Sequence, residues 1–243
     1  MDPKFYQHYF ELERDNWWFR VRRNILKDLL EKYTHPKAKI FDFGCGSGYT
    51  VNVLQKWGYD ARGGDASPEA IAHGIHQGIK GIVPLENQKV PLPENSFDVV
   101  LTLDVIEHIK DESSIVEELK RLVAPGGKII AFVPAYQWLW GVQDEVAHHY
   151  RRYTATSFAK LFGNNSNLEI LRITYFNTFL FPPIAAVRLI NRFLKPKNRN
   201  SDFDIQAGVL SPILYMIFNV ESFLMRYLNF PFGVSIMIVA QKK

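Results

Sequence analysis

The chain has a single cysteine, Cys45, among 243 residues. One thiol can form no internal disulfide and no thiolate metal cage, so a stapled extracellular scaffold is excluded and a reducing compartment is expected. Long apolar runs are lacking too, since no stretch reaches the roughly 18–20 apolar residues of a membrane-spanning helix. The opening "MDPKFYQHYFELERDNWWF" mixes acids with aromatics where an export signal needs a basic start and an apolar middle, which points to the cytoplasm. Internal repeats and low-complexity tracts are missing. A net charge of +4 and a pI near 9.0 admit anionic partners, but basic and acidic residues alternate along most of the chain, as on an ordinary solvated surface.

What is present is a nearly half-apolar chain, long enough to bury a sizeable core. From residue 39 onward, short β-branched runs alternate with helical patterns, the mark of an α/β fold whose parallel sheet is wound with helices. The spacing predicts strands near 39–43, 60–64, 80–84, 97–103 and 127–133, with helices near 49–57, 68–78, 113–123 and 155–163. In "DASPEAI", Ser67 takes the N-cap and Pro68 the first helical position. "VAPGGKII" predicts a helix end and a turn before the next strand. Two further strands, "LEILRITYF" and "GVSIMIVAQ", are separated by a segment too long for a hairpin and too apolar for a solvated loop. The organisation expected is one domain: a helical cap over 1–35, a core over 36–135, a further segment over 136–165, an apolar insertion over 179–231 and a last strand over 232–243.

"KIFDFGCGSGYT", residues 39–50, runs from a strand into Gly44, Gly46 and Gly48 and then a helix. Such a loop offers bare N–H groups to a ligand at close range. The dinucleotide fingerprint wants its third glycine where Tyr49 stands, and Asp42, two residues before Gly44, would repel a pyrophosphate while favouring a cationic amino-acid group. Asp65 closes the second strand, where a carboxylate can accept from both ribose hydroxyls, and Glu86 follows the third strand, within reach of an adenine amino group.

With these residues in place, the segment from about 39 to 135 resembles a class I S-adenosylmethionine-dependent methyltransferase. "FDFGCGSG" matches the first motif, Asp65 the ribose acid, and "SFDVVLTLDVIEHI" and "LVAPGGKIIAFVP" the later ones. The resemblance implies a Rossmann-like, seven-stranded, mostly parallel sheet whose last strand, "GVSIMIVAQ", is antiparallel. It implies S-adenosyl-L-methionine as cofactor, with Asp42, Gly44, Cys45 and Gly46 at the methionine part. Asp65 and Ala66 would then meet the ribose, Glu86 and Asn87 the adenine, and Leu103 and Asp104 the sulfonium. It further implies that an arginine of the "DNWWFRVRRNILKDLL" helix, with Arg23 the candidate, binds the cofactor carboxylate, while Trp18 and its aromatic neighbours cover the cleft. The N/D-P-P-Y stretch of base-amino methyltransferases is absent after the fourth strand, which counts against adenine and cytosine amino acceptors.

Asp104, Glu107 and His108 stand at helical spacing, either as metal ligands like those of ubiquinone-type O-methyltransferases or as polar supports. No metal is assigned. "YQWLWGVQDEVAHHYRRYT", residues 136–154, follows the fifth strand, where acceptor-binding residues are expected. His148 or His149 is the candidate base; Trp18, Tyr136, Arg151, Arg152 and Tyr153 are candidates for holding substrate, with Arg152 and Tyr153 alternatively structural. The apolar stretches "TFLFPPIAAVRLINRFLKPKNR" and "GVLSPILYMIFNVESFLMRYLNFPF", interrupted by prolines and flanked by basic residues, predict a helical hairpin. Its apolar surface suits core packing alone, a lid over an apolar or lipid-linked acceptor, or peripheral contact with the inner membrane face. The expected activity is methyl transfer, onto oxygen rather than nitrogen. An RNA methyltransferase and a non-catalytic cofactor-binding regulator are the rival readings.

Overall fold

The β-branched and aromatic run Lys39–Phe43 (β1) is buried on both faces after its first residue, as befits the middle of a helix-covered sheet. The computed structural model describes residues 11–163, 167–194 and 210–243. The first ten residues of the expected cap and the basic "KPKNR" stretch lie outside the described residues.

In chain order the elements are helix α1 (Trp17–Tyr33), β1, α2 (Tyr49–Lys56), β2 (Asp60–Asp65), α3 (Pro68–His76), β3 (Ile82–Pro84) and β4 (Phe97–Leu103). There follow α4 (Glu112–Leu122), β5 (Val123–Pro134), α5 (Val142–Val146), α6 (Ala155–Gly163), β6 (Leu168–Phe176), α7 (Phe181–Leu194), α8 (Ser211–Met225) and β7 (Ser235–Lys242). Seven strands form one sheet in the order β3-β2-β1-β4-β5-β7-β6. β7 runs antiparallel to both β5 and β6, and the pairs from β3 through β5 are parallel. This is the seven-stranded arrangement that the resemblance implied.

Local signals set several boundaries. The Ser67 side chain accepts from the Ala70 N–H at 3.2 Å, capping α3 with Pro68 in its first turn. Asn16 caps α1 by accepting from Trp18 N at 2.8 Å. One boundary departs from the expectation. β5 begins at Val123, because "APGG" makes a bulge between the Phe97–Val123 and Val99–Lys128 pairs instead of a turn outside the strand.

The sheet is covered on both faces. Val100, Ile129 and Val133 pack toward Ile115 and Leu119 of α4 and Phe158 and Phe162 of α6. On the other face Ile40, Leu101 and Phe132 meet Leu26 and Leu30 of α1, Leu54 of α2 and Phe218 of α8. Among the described residues, the insertion before β7 carries the helices α7 and α8, as expected. α8 packs on α1, with Trp17 edge-on to Phe218 at 6.2 Å and Asn24 donating to Asn219 at 2.9 Å. Phe181, at the start of α7, meets the rings of Tyr136 and Trp138, each at 5.8 Å. Among the described residues, no helix is long and apolar enough to cross a membrane.

Candidate active site

A cleft of about 480 Å³ opens where the carboxyl ends of β1, β2 and β4 meet the start of α1. Its position follows from topology: the chain leaves β1 toward one side of the sheet and β4 toward the other, so their end loops part.

The glycine loop forms one wall. Gly44 and Gly46 have φ of 75° and 54°, and a Cβ on Gly44 would stand 2.5 Å from Val105 Cγ2. The bare backbone is thus a steric requirement of the loop after β4 as well as an opening for a ligand. Sequence reasoning missed a second glycine with such a duty. Gly74 of α3 lets the Ser47 carbonyl lie directly against the helix, in space a Cβ would fill.

Of the residues expected at a cofactor, Asp42, Gly44, Cys45, Gly46, Asp65, Ala66, Leu103, Asp104 and Arg23 all line this cleft. Asp65 accepts from Gly46 N at 2.8 Å through one oxygen and from Ser67 N at 2.9 Å through the other. It therefore clamps the glycine loop to the β2–α3 turn, and each oxygen keeps a further lone pair for a ligand. Asp42 is buried, and burial, with Glu13 and Asp65 nearby, pushes its carboxyl well above the usual carboxylate range. A cation placed beside it would reverse that shift.

The residues expected at the purine and at the cofactor carboxylate stand as follows. Glu86 and Asn87 lie exposed in a tight turn closed by hydrogen bonds between Glu86 and Lys89, and the residues lining the cleft there are Leu85 and Gln88. The reason is local. Asn87 and Gln88 take positive φ, 50° and 64°, which turns the chain back after Leu85. Arg23 lines the cleft, but its guanidinium donates to the carbonyls of Glu13 and Arg14 at 2.6 and 3.1 Å. Arg22, one place earlier, ion-pairs with Asp104 and sits 4.2 Å over the Trp18 ring. Its Nη1 is buried without a hydrogen-bond partner. The helix thus turns Arg22 into the cleft as the arginine with a nitrogen to spare. Trp18 serves as its aromatic shelf and does not line the cleft.

At the other end the cleft is lined by His108, Ile109, Ala147, His148 and Tyr150. The residue pattern "DVIEH" does not make an α-helix. Asp104 takes φ 57° and Ile106–His108 a 3₁₀ turn, so Asp104 turns to Arg22 and leaves Glu107 and His108. His149 takes its place: ligand atoms of Glu107, His108 and His149 lie within 4.8 Å of one another, a donor set that can hold a divalent ion. Both Glu107 oxygens are buried without partners; burial, then the neighbouring Asp104, pushes its carboxyl up. Burial and His149 push His108 down to about 4, so its imidazole is neutral near pH 7.

The candidate bases separate. His148 is exposed at the cleft wall, whereas His149 stands behind it, with Nδ1 2.8 Å from Asp144 Oδ1 and its ring edge-on to His108 at 4.5 Å. The candidate substrate clamp is not on the cleft. Arg152 is buried, donating to Asp144 at 2.7 Å and to the Ala135 carbonyl at 3.1 Å. Arg151 pairs with Glu112 at 2.8 Å, and the Tyr153 hydroxyl donates to the same carboxylate at 2.7 Å. Tyr136 stacks on Tyr175, ring centroids 5.2 Å apart. These four hold the segment after β5 onto the core, the structural alternative for Arg152 and Tyr153.

Residues 41–131 match the family model described as a methyltransferase domain. The chain is 34% identical over 116 residues to norajmaline N-methyltransferase of Rauvolfia serpentina, covering 43% of this chain and 40% of that protein. It is 31% identical over 98 residues to ubiquinone biosynthesis O-methyltransferase of Acinetobacter baumannii, covering 37% of this chain and 41% of that protein. The chain thus spans less than half the length of these curated relatives. A solved SAM-dependent methyltransferase from Archaeoglobus fulgidus superimposes over 97% of this chain and 99% of its own, with TM-score 0.61 and 15% identity, a likeness of fold.

Proposed function

Residues 41–131 form a class I S-adenosylmethionine-dependent methyltransferase domain, and from that premise we propose that this chain transfers the cofactor's methyl group to an oxygen atom of an apolar or lipid-linked acceptor. One observation carries the reading. A glycine turn, buried or half-buried carboxylates and a guanidinium nitrogen without a partner converge in one cleft, matching the opposite charges of an amino-acid end beside a nucleoside. When bound, S-adenosylmethionine supplies a methyl group already activated on a sulfonium.

The residues fit that group. Asp65 has lone pairs for ribose hydroxyls, Asp42 a carboxyl for the ammonium, and Arg22 Nη1 a donor for the carboxylate. Leu85 and Gln88 take the place foreseen for Glu86 and Asn87 at the purine. The protein's remaining work is alignment of the acceptor and removal of its proton. His148, on the cleft wall and open to solvent, is the group we assign to proton removal; His149 supports the wall through Asp144.

An oxygen acceptor is favoured because a hydroxyl needs a proton acceptor that this end of the cleft supplies, although one relative is named for nitrogen methylation. The apolar character of the acceptor rests on the insertion. Ile213, Met216, Val220, Phe223 and Tyr227 form an exposed stripe along α8 and just past its end, and Val187 and Ile190 are exposed on α7. Such a stripe suits an apolar acceptor or the surface of a membrane that carries one. Transfer of label from the cofactor into fractionated lipids, glycans and RNA tests the reading. Label in a lipid or glycan fraction is expected. Label confined to RNA would overturn the acceptor class, and cofactor binding without label anywhere would favour a regulator.

A further inference from the structure

The helical turn over residues 11–15, just before α1, lies across the glycine loop. Glu13 reaches from it into the cleft and accepts from the Ser47 hydroxyl at 3.2 Å, while Arg23 grips the turn through the carbonyls of Glu13 and Arg14. No sequence motif singles Glu13 out, because it lies well upstream of the glycines. Yet it shares the cleft with Asp42 and Asp65, so three carboxyl groups border one glycine turn.

Three carboxyls gathered in a half-enclosed space repel one another, and the cations within range are few. Arg22 and Arg23 act on Glu13, but Arg22 is paired to Asp104 and Arg23 to two carbonyls. The arrangement is therefore short of positive charge where Glu13 and Asp42 meet. A second, independent observation marks the same end of the cleft as a place for a zwitterion: Arg22 lines the cleft, and its Nη1 is buried without a hydrogen-bond partner. An amino-acid end brings an ammonium for the carboxyls and a carboxylate for that nitrogen.

We propose that Glu13 is a cofactor-binding residue of this chain, its carboxylate joining Asp42 in receiving the ammonium of the cofactor's amino-acid end, so that the turn over 11–15 closes on the ligand it binds. The proposal rests on the reading of the cleft as an S-adenosylmethionine site. It makes binding sensitive to pH. The groups facing Glu13 are Ser47, Arg23, Arg22, Asp65 and Asp42, and burial, outweighing the Ser47 hydrogen bond and both arginines, lifts its carboxyl to about 7. A cationic ligand stabilises the ionised form, so binding releases a proton at pH below 7 and tightens as pH rises.

Calorimetry with two probes tests it: S-adenosylhomocysteine, which keeps the ammonium and carboxylate, and 5′-methylthioadenosine, which has neither. In Glu13→Gln the first should bind about tenfold more weakly and the second unchanged. In the wild type, affinity for S-adenosylhomocysteine should rise up to about tenfold between pH 6 and 8, and methylthioadenosine should show no such rise. Unchanged affinity in Glu13→Gln, or equal loss of both probes, would overturn the proposal, the second outcome showing that Glu13 only braces Ser47. The wild-type pH series stands even if the variant folds poorly, and a flat series for S-adenosylhomocysteine would also overturn it. Failure of the wild type to bind either probe would bring down the cofactor reading itself, an outcome distinct from loss of the ammonium contact alone.

Discussion

Arg22 of α1 and Asp104 just past β4 form an ion pair across the cleft, joining the helical cap to the carboxyl end of the sheet. The Arg22 side chain is 7% exposed, and its guanidinium lies among the rings of Trp18, Phe132 and Phe176, at 4.2, 5.3 and 5.8 Å. Asp104 meets it from a left-handed backbone position, φ 57°. The pair thus holds the cap in place while leaving Nη1 of the guanidinium without a hydrogen-bond partner.

Removing one partner from such a pair leaves the other charge without compensation. Arg22→Ala should destabilise the fold by about 3 kcal/mol or more, visible as a lowered urea midpoint, and should abolish S-adenosylhomocysteine binding at micromolar protein. Arg22→Lys should keep most of the charge but not the planar contact with Trp18, and should recover stability only in part. A midpoint within error of wild type in Arg22→Ala would contradict the structural role assigned to the pair.

Gly44→Ala introduces a Cβ 2.5 Å from Val105 Cγ2 at a residue with φ 75°. The left-handed backbone costs about 1–2 kcal/mol and the overlap with Val105 adds about 1–3 kcal/mol if the loop does not move. Adding Val105→Ala should restore part of the loss, because it removes the overlap and leaves the strain. Equal stability of the single and double variants would show that the overlap is relieved some other way.

Acid should loosen the segment after β5. Asp144 is buried, which by itself would raise its carboxyl, but the hydrogen bond with His149 and the charge of Arg152 prevail and hold it at about 2. A depressed carboxyl contributes stability that is present above its unfolded value near 4 and is lost as pH falls through about 2. The contribution is on the order of 2 kcal/mol. Thermal unfolding between pH 2 and 5 should therefore fall less steeply in Asp144→Asn than in wild type. Parallel curves would exclude Asp144 as a source of the acid sensitivity.

The two histidines of "AHHYRRY" should part company in activity. His148→Ala should cut transfer at least a hundredfold with S-adenosylhomocysteine affinity kept, the size of effect that loss of a general base produces. His149→Ala should act through Asp144, lowering stability before it changes turnover at saturating substrate. Full turnover in His148→Ala would remove it as the base and turn attention to His108, which shares the cleft wall.

Much of the scaffold was legible from the residues alone. β4 occupies the predicted 97–103 and α6 the predicted 155–163, since β-branched runs and helical periodicity report burial on a sheet or a helix face directly. The glycine loop, Asp42 and Asp65 were legible for a related reason: they lie next to β1 and β2, and the strand dictates where their backbone goes. β5 shows the limit. "APGG" has turn chemistry, yet the pairing with β4 on either side of it keeps those residues in the strand as a bulge.

The sequence by itself determined the fold class, the glycine turn and the acids that follow strands, because periodicity and turn chemistry act over a few residues. Only the tertiary structure decided that Arg22 instead of Arg23 keeps a buried nitrogen without a partner, that Arg151 and Arg152 are bound to Glu112 and Asp144, and that Glu13 meets Ser47. Those outcomes depend on which helix face meets which strand end, and neighbouring arginines on one helix are alike in sequence until packing turns one of them, Arg22, toward Asp104 at the far end of another strand.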